Sequence, residues 1–138
     1  MLNSNSLTEI EVRTSVKEEL KDITDLIEEK LQNEWQEVKD GVLYLYVPHT
    51  TCAVFINEHD DPSVAADILN FLQNLVPTNF PYRHLEGNSP AHIKASVIGN
   101  TLHLFVKEGR LALGTWQGIF LAEFDGPRRR KIWLKLLA

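Results

Sequence analysis

The most restrictive feature of this chain is a pair of apolar runs with almost nothing between them. "GVLYLYV" (Gly41 to Val47) and "TCAVFIN" (Thr51 to Asn57) are separated only by Pro48, His49 and Thr50. Continuous apolarity of this length reads as strand buried on both faces, and Pro48 ends the first run because it has no N–H to give a ladder. Three residues cannot hold a helix. The two runs therefore form either a tight hairpin or one long bent strand.

The rest of the chain completes the pattern. Thr8 to Thr14 alternates apolar and charged residues, as a half-buried strand does. Ile23, Leu26, Ile27, Leu31 and Trp35 recur at spacings of three and four, which marks an amphipathic helix over residues 22–35. Asp61-Pro62 is a helix start, and Val64, Ile68, Leu69, Leu72, Leu75 and Val76 follow at helical spacing until Pro77. Ser89-Pro90 repeats that signal, with Ser89 as the expected cap of a short helix running from Pro90 to about Ile98 and stopped by Gly99-Asn100. "TLHLFV", "GIFLAEF" and "KIWLKLL" then read as strands separated by Gly-rich turns. Strands with two or three inserted helices predict an α+β domain around a strongly curved, mostly antiparallel sheet, one domain over residues 1–138.

Charge and composition restrict partners. The net charge of −5 argues against general nucleic-acid binding. No stretch reaches the roughly 20 apolar residues of a membrane helix, and the N-terminus lacks the basic and apolar regions of a signal peptide. A single cysteine, Cys52, fits a reducing cytoplasm. Its alternation with Val54 and Ile56 turns it toward the core. Acids outnumber bases eleven to five between Glu9 and Asp40, whereas from Gly41 onward the count is eight to nine. The one basic cluster, "PRRRKIWLK", is either a solvated strand face or an anion site.

Candidate chemistry concentrates in three places. Of five histidines, His49, His84 and His92 sit at turns or element ends, where functional side chains are commonly mounted. His103 lies within a strand as a packed or sheet-surface residue, and His59 follows Glu58 in an acidic loop that defaults to solvent. His92 falls near the positive end of its helix, a position that favours the neutral ring. Three neutral imidazoles with an open fourth position suit catalytic Zn²⁺. Glu123 interrupts an otherwise apolar run. Buried carboxylates are rare unless paired or ligating, so it is a metal ligand, a partner of a histidine, a general base, or half of a salt bridge with one of Arg128 to Arg130. The loop Gly87-Asn88-Ser89 offers helix-start amides to an anion, with Lys94 or an arginine adding charge. Simple capping is the alternative. Asp67 falls on the polar face of its helix. Trp116, beside two glycines, is expected to pack in the core, with a pocket wall or a subunit interface as the other places for it.

Three long blocks carry a resemblance. "PHTTCAVFINEHDDPSV", "HLEGNSPAHIKASVIGNTLHLFV" and "GRLALGTWQGIFLAEFDGPRRRKIWL" resemble, in order and over nearly the whole chain, the signature blocks of YjbQ-like proteins, usually described as secondary thiamine-phosphate synthases. The resemblance implies an α+β fold in which a β-meander folds on itself, a homotrimer, and a histidine-lined pocket able to hold a metal. His49 falls in its Pro-His-Thr-Thr block, His84 and His92 in its second block, and Glu123 and Arg128 in its third. Asn57, Glu58, Asp61 and Asp67 match its acidic block. The implied reaction joins an aminopyrimidine methyl pyrophosphate to a thiazole phosphate. A divalent metal on His49, His84 and His92 would take the leaving pyrophosphate, Zn²⁺ by its ligands or Mg²⁺ by its substrate. The Gly87 to Ser89 amides and Arg128 would assist, with Glu123 as base or as the partner of a histidine. The same residues suit a metal-dependent hydrolase of a small phosphorylated metabolite, or a trimeric protein that binds such a ligand without turning it over.

Overall fold

The structure, a computed structural model, describes residues 7–138. The elements in chain order are β1 (Thr8–Arg13), β2 (Glu19–Asp22), α1 (Thr24–Glu34), β3 (Gly41–Tyr46), β4 (Cys52–Glu58), α2 (Pro62–Leu75), α3 (Ser89–Ile98), β5 (Thr101–Lys107), β6 (Arg110–Leu111), β7 (Gln117–Glu123) and β8 (Arg129–Leu137). They make two antiparallel sheets, one ordered β1-β8-β3-β5-β6 and one ordered β2-β7-β4. The fold is α+β, a curled antiparallel sheet assembly with three helices, as the apolar runs predict.

Burial explains the arrangement. The main core collects Leu43 and Leu45 of β3, Val54 of β4, Ile119 and Leu121 of β7, and Ile132, Leu134 and Leu136 of β8. Ile27 and Leu31 of α1 close it, with Ile23 and Trp35 at the two ends of that helix. Each of these side chains contributes about 1.5–3 kcal/mol by leaving water. A second, smaller core lies on the other side of the three-stranded sheet. There Ala53, Ala122 and Phe124 meet Leu72 of α2 and Ala91 and Ala95 of α3. Strands β4 and β7 are therefore covered on both faces, which is why both read as unbroken apolar runs.

β3 corrects the expectation of two buried faces. Leu43 and Leu45 are inside, but Tyr44 and Tyr46 are 47 % and 42 % exposed. Among the described residues no helix covers that side of the five-stranded sheet, because α2 and α3 pack on the other sheet. Tyr46 stacks on Trp133 of β8 at 5.6 Å between ring centroids. The hairpin alternative also falls. β3 and β4 belong to different sheets, so Pro48 to Thr51 carries the chain from one sheet to the other. The junction after α3 stitches the crossing: Asn100 O accepts from Val47 N at 2.8 Å and Gly99 O from Val54 N at 3.1 Å. Gly99 ends α3 with φ of 101°, a conformation that a side chain would resist.

Capping corrects one further detail. Asp61 caps α2 as read, accepting from Ser63 N at 2.9 Å. On α3 the cap position is Asn88 rather than Ser89, and no side chain caps it. Asn88 instead donates its amide to Asp125 Oδ2 at 3.0 Å. Strand β2, "ELKD", carries no apolar alternation and has no signal in the sequence.

Candidate functional site

The chain crossing between the sheets opens a cleft of about 430 Å³ lined by His49, Thr50, Thr51, His84, Asn88, His92, Asp125 and Arg128 among others. A neighbouring recess of about 360 Å³ shares His49, Thr50 and His92 with it. Three separate parts of the sequence thus meet: the β3–β4 crossing, the turn leading into α3, and the loop between β7 and β8. Crossings between rigid strands position side chains well, because both ends are tied into ladders.

His49 is the best-anchored of the three histidines. Its Nε2 accepts the main-chain N–H of Lys131 at 2.8 Å. Burial lowers its pKa from the ordinary value, and the nearby Arg130 charge lowers it further against the opposing pull of Glu123. The ring is therefore neutral at physiological pH. His84 and His92 lie edge to face, 5.4 Å between centroids. His84 Nε2 is 3.9 Å from Glu86 Oε2 at the exposed lip. Arg128 is held on the rim by Asp125, donating from Nε to the Asp125 carbonyl at 2.7 Å and from a terminal nitrogen to Oδ2 at 3.1 Å. Burial tends to raise the Asp125 carboxyl, but its bonds from Asn88 and Arg128 hold it below the usual range.

Beneath the cleft lies a buried ion pair. Glu123 is fully buried and Arg130 is 3 % exposed. Arg130 Nε donates to Glu123 Oε1 at 2.8 Å, and a terminal nitrogen of Arg130 bonds Oε2. Thr14 Oγ1 adds a bond to Oε1 at 2.7 Å and Asp125 N one to Oε2 at 3.0 Å. Burial alone would raise the Glu123 carboxyl; these bonds outweigh it and hold the pKa below its ordinary value. Of the alternatives open for Glu123, the geometry realises the salt bridge, and the partner is Arg130. Arg130 also bonds Thr51 Oγ1 at 2.8 Å, so the pair fastens the His49-Thr50-Thr51 crossing from below.

Other expected site residues fall differently. Asn88 lines the cleft, but Gly87 does not, and its N–H is turned back on His84 O at 3.4 Å. Ser89 borders a smaller apolar hollow with Tyr82, His84, His92 and Ile93. Asn57, Glu58, Asp61 and Asp67 line neither the cleft nor its recess; β4 runs from Cys52 beside the recess to Glu58, about 20 Å away at strand rise. Lys94 is buried away from the cleft in an ion pair with Glu18. Trp116 is 59 % exposed, not core, although its carbonyl accepts from His59 N at 2.9 Å at the end of the β4–β7 ladder. His59, exposed as read, bonds Asp22 at 2.8 Å. Asp125 and Thr51 are site residues that sequence reasoning missed, and Arg130 was one of three arginines left open. Arg130 had a signal: it continues the inward alternation of Ile132, Leu134 and Leu136.

A three-histidine metal centre does not fit this placement. Among the described residues no three His, Cys, Asp or Glu side chains are grouped to hold an ion. His49 gives the reason. A ring that accepts at Nε2 carries its proton on Nδ1, which leaves neither nitrogen free for a metal.

A curled antiparallel α+β fold with a histidine-lined polar cleft at the sheet crossing defines the class of protein. The family described as "UPF0047 protein YjbQ-like" matches residues 8–138. This chain belongs to that family. It is 50 % identical over 137 residues to the UPF0047 protein MJ1081 of Methanocaldococcus jannaschii, covering 99 % of this chain and 98 % of the relative. It is 41 % identical over 132 residues to the UPF0047 protein YugU of Bacillus subtilis, covering 95 % and 98 %. Its fold is similar to that of a YjbQ/UPF0047 family protein of Clostridium acetobutylicum, with TM-score 0.89, 43 % identity and coverage of 94 % and 99 %. A conserved protein of Thermus thermophilus compares at TM-score 0.86 and 46 % identity, with coverage of 94 % and 99 %.

Proposed function

We propose that the cleft binds the phosphate or pyrophosphate of a small metabolite, and that the chain is a transferase of the secondary thiamine-phosphate synthase type. The observation that carries this reading is the convergence of His49, His84, His92 and Arg128 on one cleft. Imidazole N–H groups and a guanidinium are donors for phosphoryl oxygens, and Arg suits them by its forked geometry. In the proposed reaction the thiazole nitrogen forms a C–N bond to the pyrimidine methylene carbon. The C–O bond to pyrophosphate breaks, and pyrophosphate leaves with the electron pair. The residues' task is to orient the two rings and to donate hydrogen bonds to the departing oxygens. Glu123 and Arg130 act from below as positioning residues, since both are spent on each other.

The test is direct. Purified protein is given the aminopyrimidine methyl pyrophosphate and the thiazole phosphate, and thiamine phosphate and pyrophosphate are measured together. Equal amounts of the two, lower by about tenfold or more in His84→Ala, support the transferase. Pyrophosphate release without thiazole phosphate points to the hydrolase. Saturable binding of pyrophosphate with no turnover points to the binding protein.

Location and assembly belong to the same proposal. No helix among the described residues is long and apolar enough to cross a membrane. The lone thiol, buried and reduced, supports a cytoplasmic protein. Exposed Phe71, Phe80, Leu85, Val97 and Phe105 offer apolar surface for self-association, and the homotrimer is what the family resemblance implies. Light scattering after gel filtration is expected to give about three times the 15.8 kDa chain mass. A mass of one chain refutes the trimer.

A further inference from the structure

The role of His49 is decided by where β3 stops. Tyr46 pairs with Trp133 in the β3–β8 ladder, and carrying the register on would set Pro48 opposite Lys131. Pro48 ends the strand there. The Lys131 N–H, which a longer strand would meet with a main-chain carbonyl, is met by His49 Nε2 at 2.8 Å. The imidazole thus replaces a rung of the ladder. A main-chain N–H is a permanent donor that no pH change removes. Its partner nitrogen must stay unprotonated, so the proton of the neutral ring is held on Nδ1. Among the described residues no protein group bonds that Nδ1, and the ring lines both the cleft and its recess.

We propose that His49 is a hydrogen-bond donor of fixed tautomer, whose Nδ1–H binds a phosphoryl oxygen of the ligand. The part that concerns the ligand rests on the reading of the cleft as a phosphate site. The tautomer does not. A proton fixed on Nδ1 excludes two other roles for this residue. As a general base, His49 would have to take up a proton at Nε2, the nitrogen that accepts from the Lys131 N–H. As a metal ligand it would bind through a lone pair that the bound proton occupies. Each role requires the ring to give up Lys131 or turn over. The burial of the ring and the Arg130 charge both oppose the imidazolium, which agrees with a donor that stays neutral. A neutral imidazole donating to a developing oxyanion is a known catalytic device.

Two measurements test it. Multiple-bond ¹H–¹⁵N NMR of the ligand-free wild type at pH 8 reads the tautomer. Nδ1 is expected at the protonated, pyrrole-type shift and Nε2 at the pyridine-type shift. A protonated Nε2, or an averaged pair, overturns the proposal. Calorimetry with inorganic pyrophosphate then compares wild type with His49→Asn and His49→Gln. The Asn amide lies where Nδ1 was, whereas the Gln amide lies nearer Nε2. Binding within about threefold of wild type is expected for Asn, and about 10–100-fold weaker binding for Gln, the loss of one bond to a charged group. Equal losses in both variants overturn the donor role. A wild type that does not bind pyrophosphate refutes the phosphate reading of the cleft instead, and the NMR result still decides the tautomer.

Discussion

Replacing Arg130 by Met leaves Glu123 with no cation in a site that water does not reach. Glu123 is fully buried, and of its bonds only those from Thr14 Oγ1 at 2.7 Å and Asp125 N at 3.0 Å would remain. Removing one member of a buried pair costs about 3–5 kcal/mol, mostly the uncompensated charge that stays behind. For a chain of this size that is a fall of about 10–20 °C in Tm. The pH dependence has a definite sign. In wild type the Glu123 carboxyl is held below its ordinary value of 4.5, so its stabilisation is present above that value. It is lost as pH falls through the lower folded-state value. In Arg130→Met burial acts on the carboxyl without the guanidinium to oppose it, so the folded-state pKa rises. The variant therefore regains stability as the pH is lowered toward 5, while wild type stays on its plateau. Urea denaturation of both proteins at pH 7 and pH 5 is the assay. The double variant Glu123→Gln with Arg130→Met is expected to be more stable than Arg130→Met alone at pH 7, because no charge is orphaned. A loss under about 1 kcal/mol at pH 7, or a gap between the proteins that is the same at both pH values, refutes the reasoning.

Three more outcomes are expected. Gly118→Ala places a Cβ 2.3 Å from His59 Nδ1, so the ring must leave Asp22; a loss of about 1–3 kcal/mol by denaturant titration is expected, and a neutral effect would refute the tight contact. Cys52 is buried and its thiol is pushed up to about 12 by burial, so a thiol reagent at pH 8 should leave it intact in native protein and modify it fully in urea. Rapid reaction in the native state would refute that burial. Asp61→Ala removes the bonds to Ser63 N and Oγ, at 2.9 and 2.8 Å, and should cost about 1 kcal/mol by thermal denaturation, whereas Asp61→Asn should cost less.

Much of the architecture was legible because local rules were strong. The 3.6-residue spacing of Ile23, Ile27 and Leu31 placed α1, Asp61-Pro62 placed the start of α2, and Gly99 placed the end of α3. The resemblance of three long blocks identified the family, and His49, His84 and His92 of those blocks do meet in one cleft. What periodicity could not reveal is which sheet a strand joins. An unbroken apolar run looks the same whether helices cover its second face, as for β4, or leave tyrosines in solvent, as for β3. Strand β2 was invisible, because four residues paired along β7 need no apolar pattern of their own.

The candidate site divides along the same line. Sequence alone determined which side chains were out of place for a plain fold: imidazoles at turns, and a carboxylate in an apolar strand. Tertiary structure decided what each one does. Glu123 and Arg130 are seven positions apart, and nothing local says that Arg130 rather than Arg128 turns inward to meet it. His49 and Lys131 are 82 positions apart, and their bond exists only because two strands from distant parts of the chain share a ladder that Pro48 cuts short. Residue types and spacings are properties of a chain. The protonation and free valence of a side chain are properties of its neighbours, and those are chosen by packing.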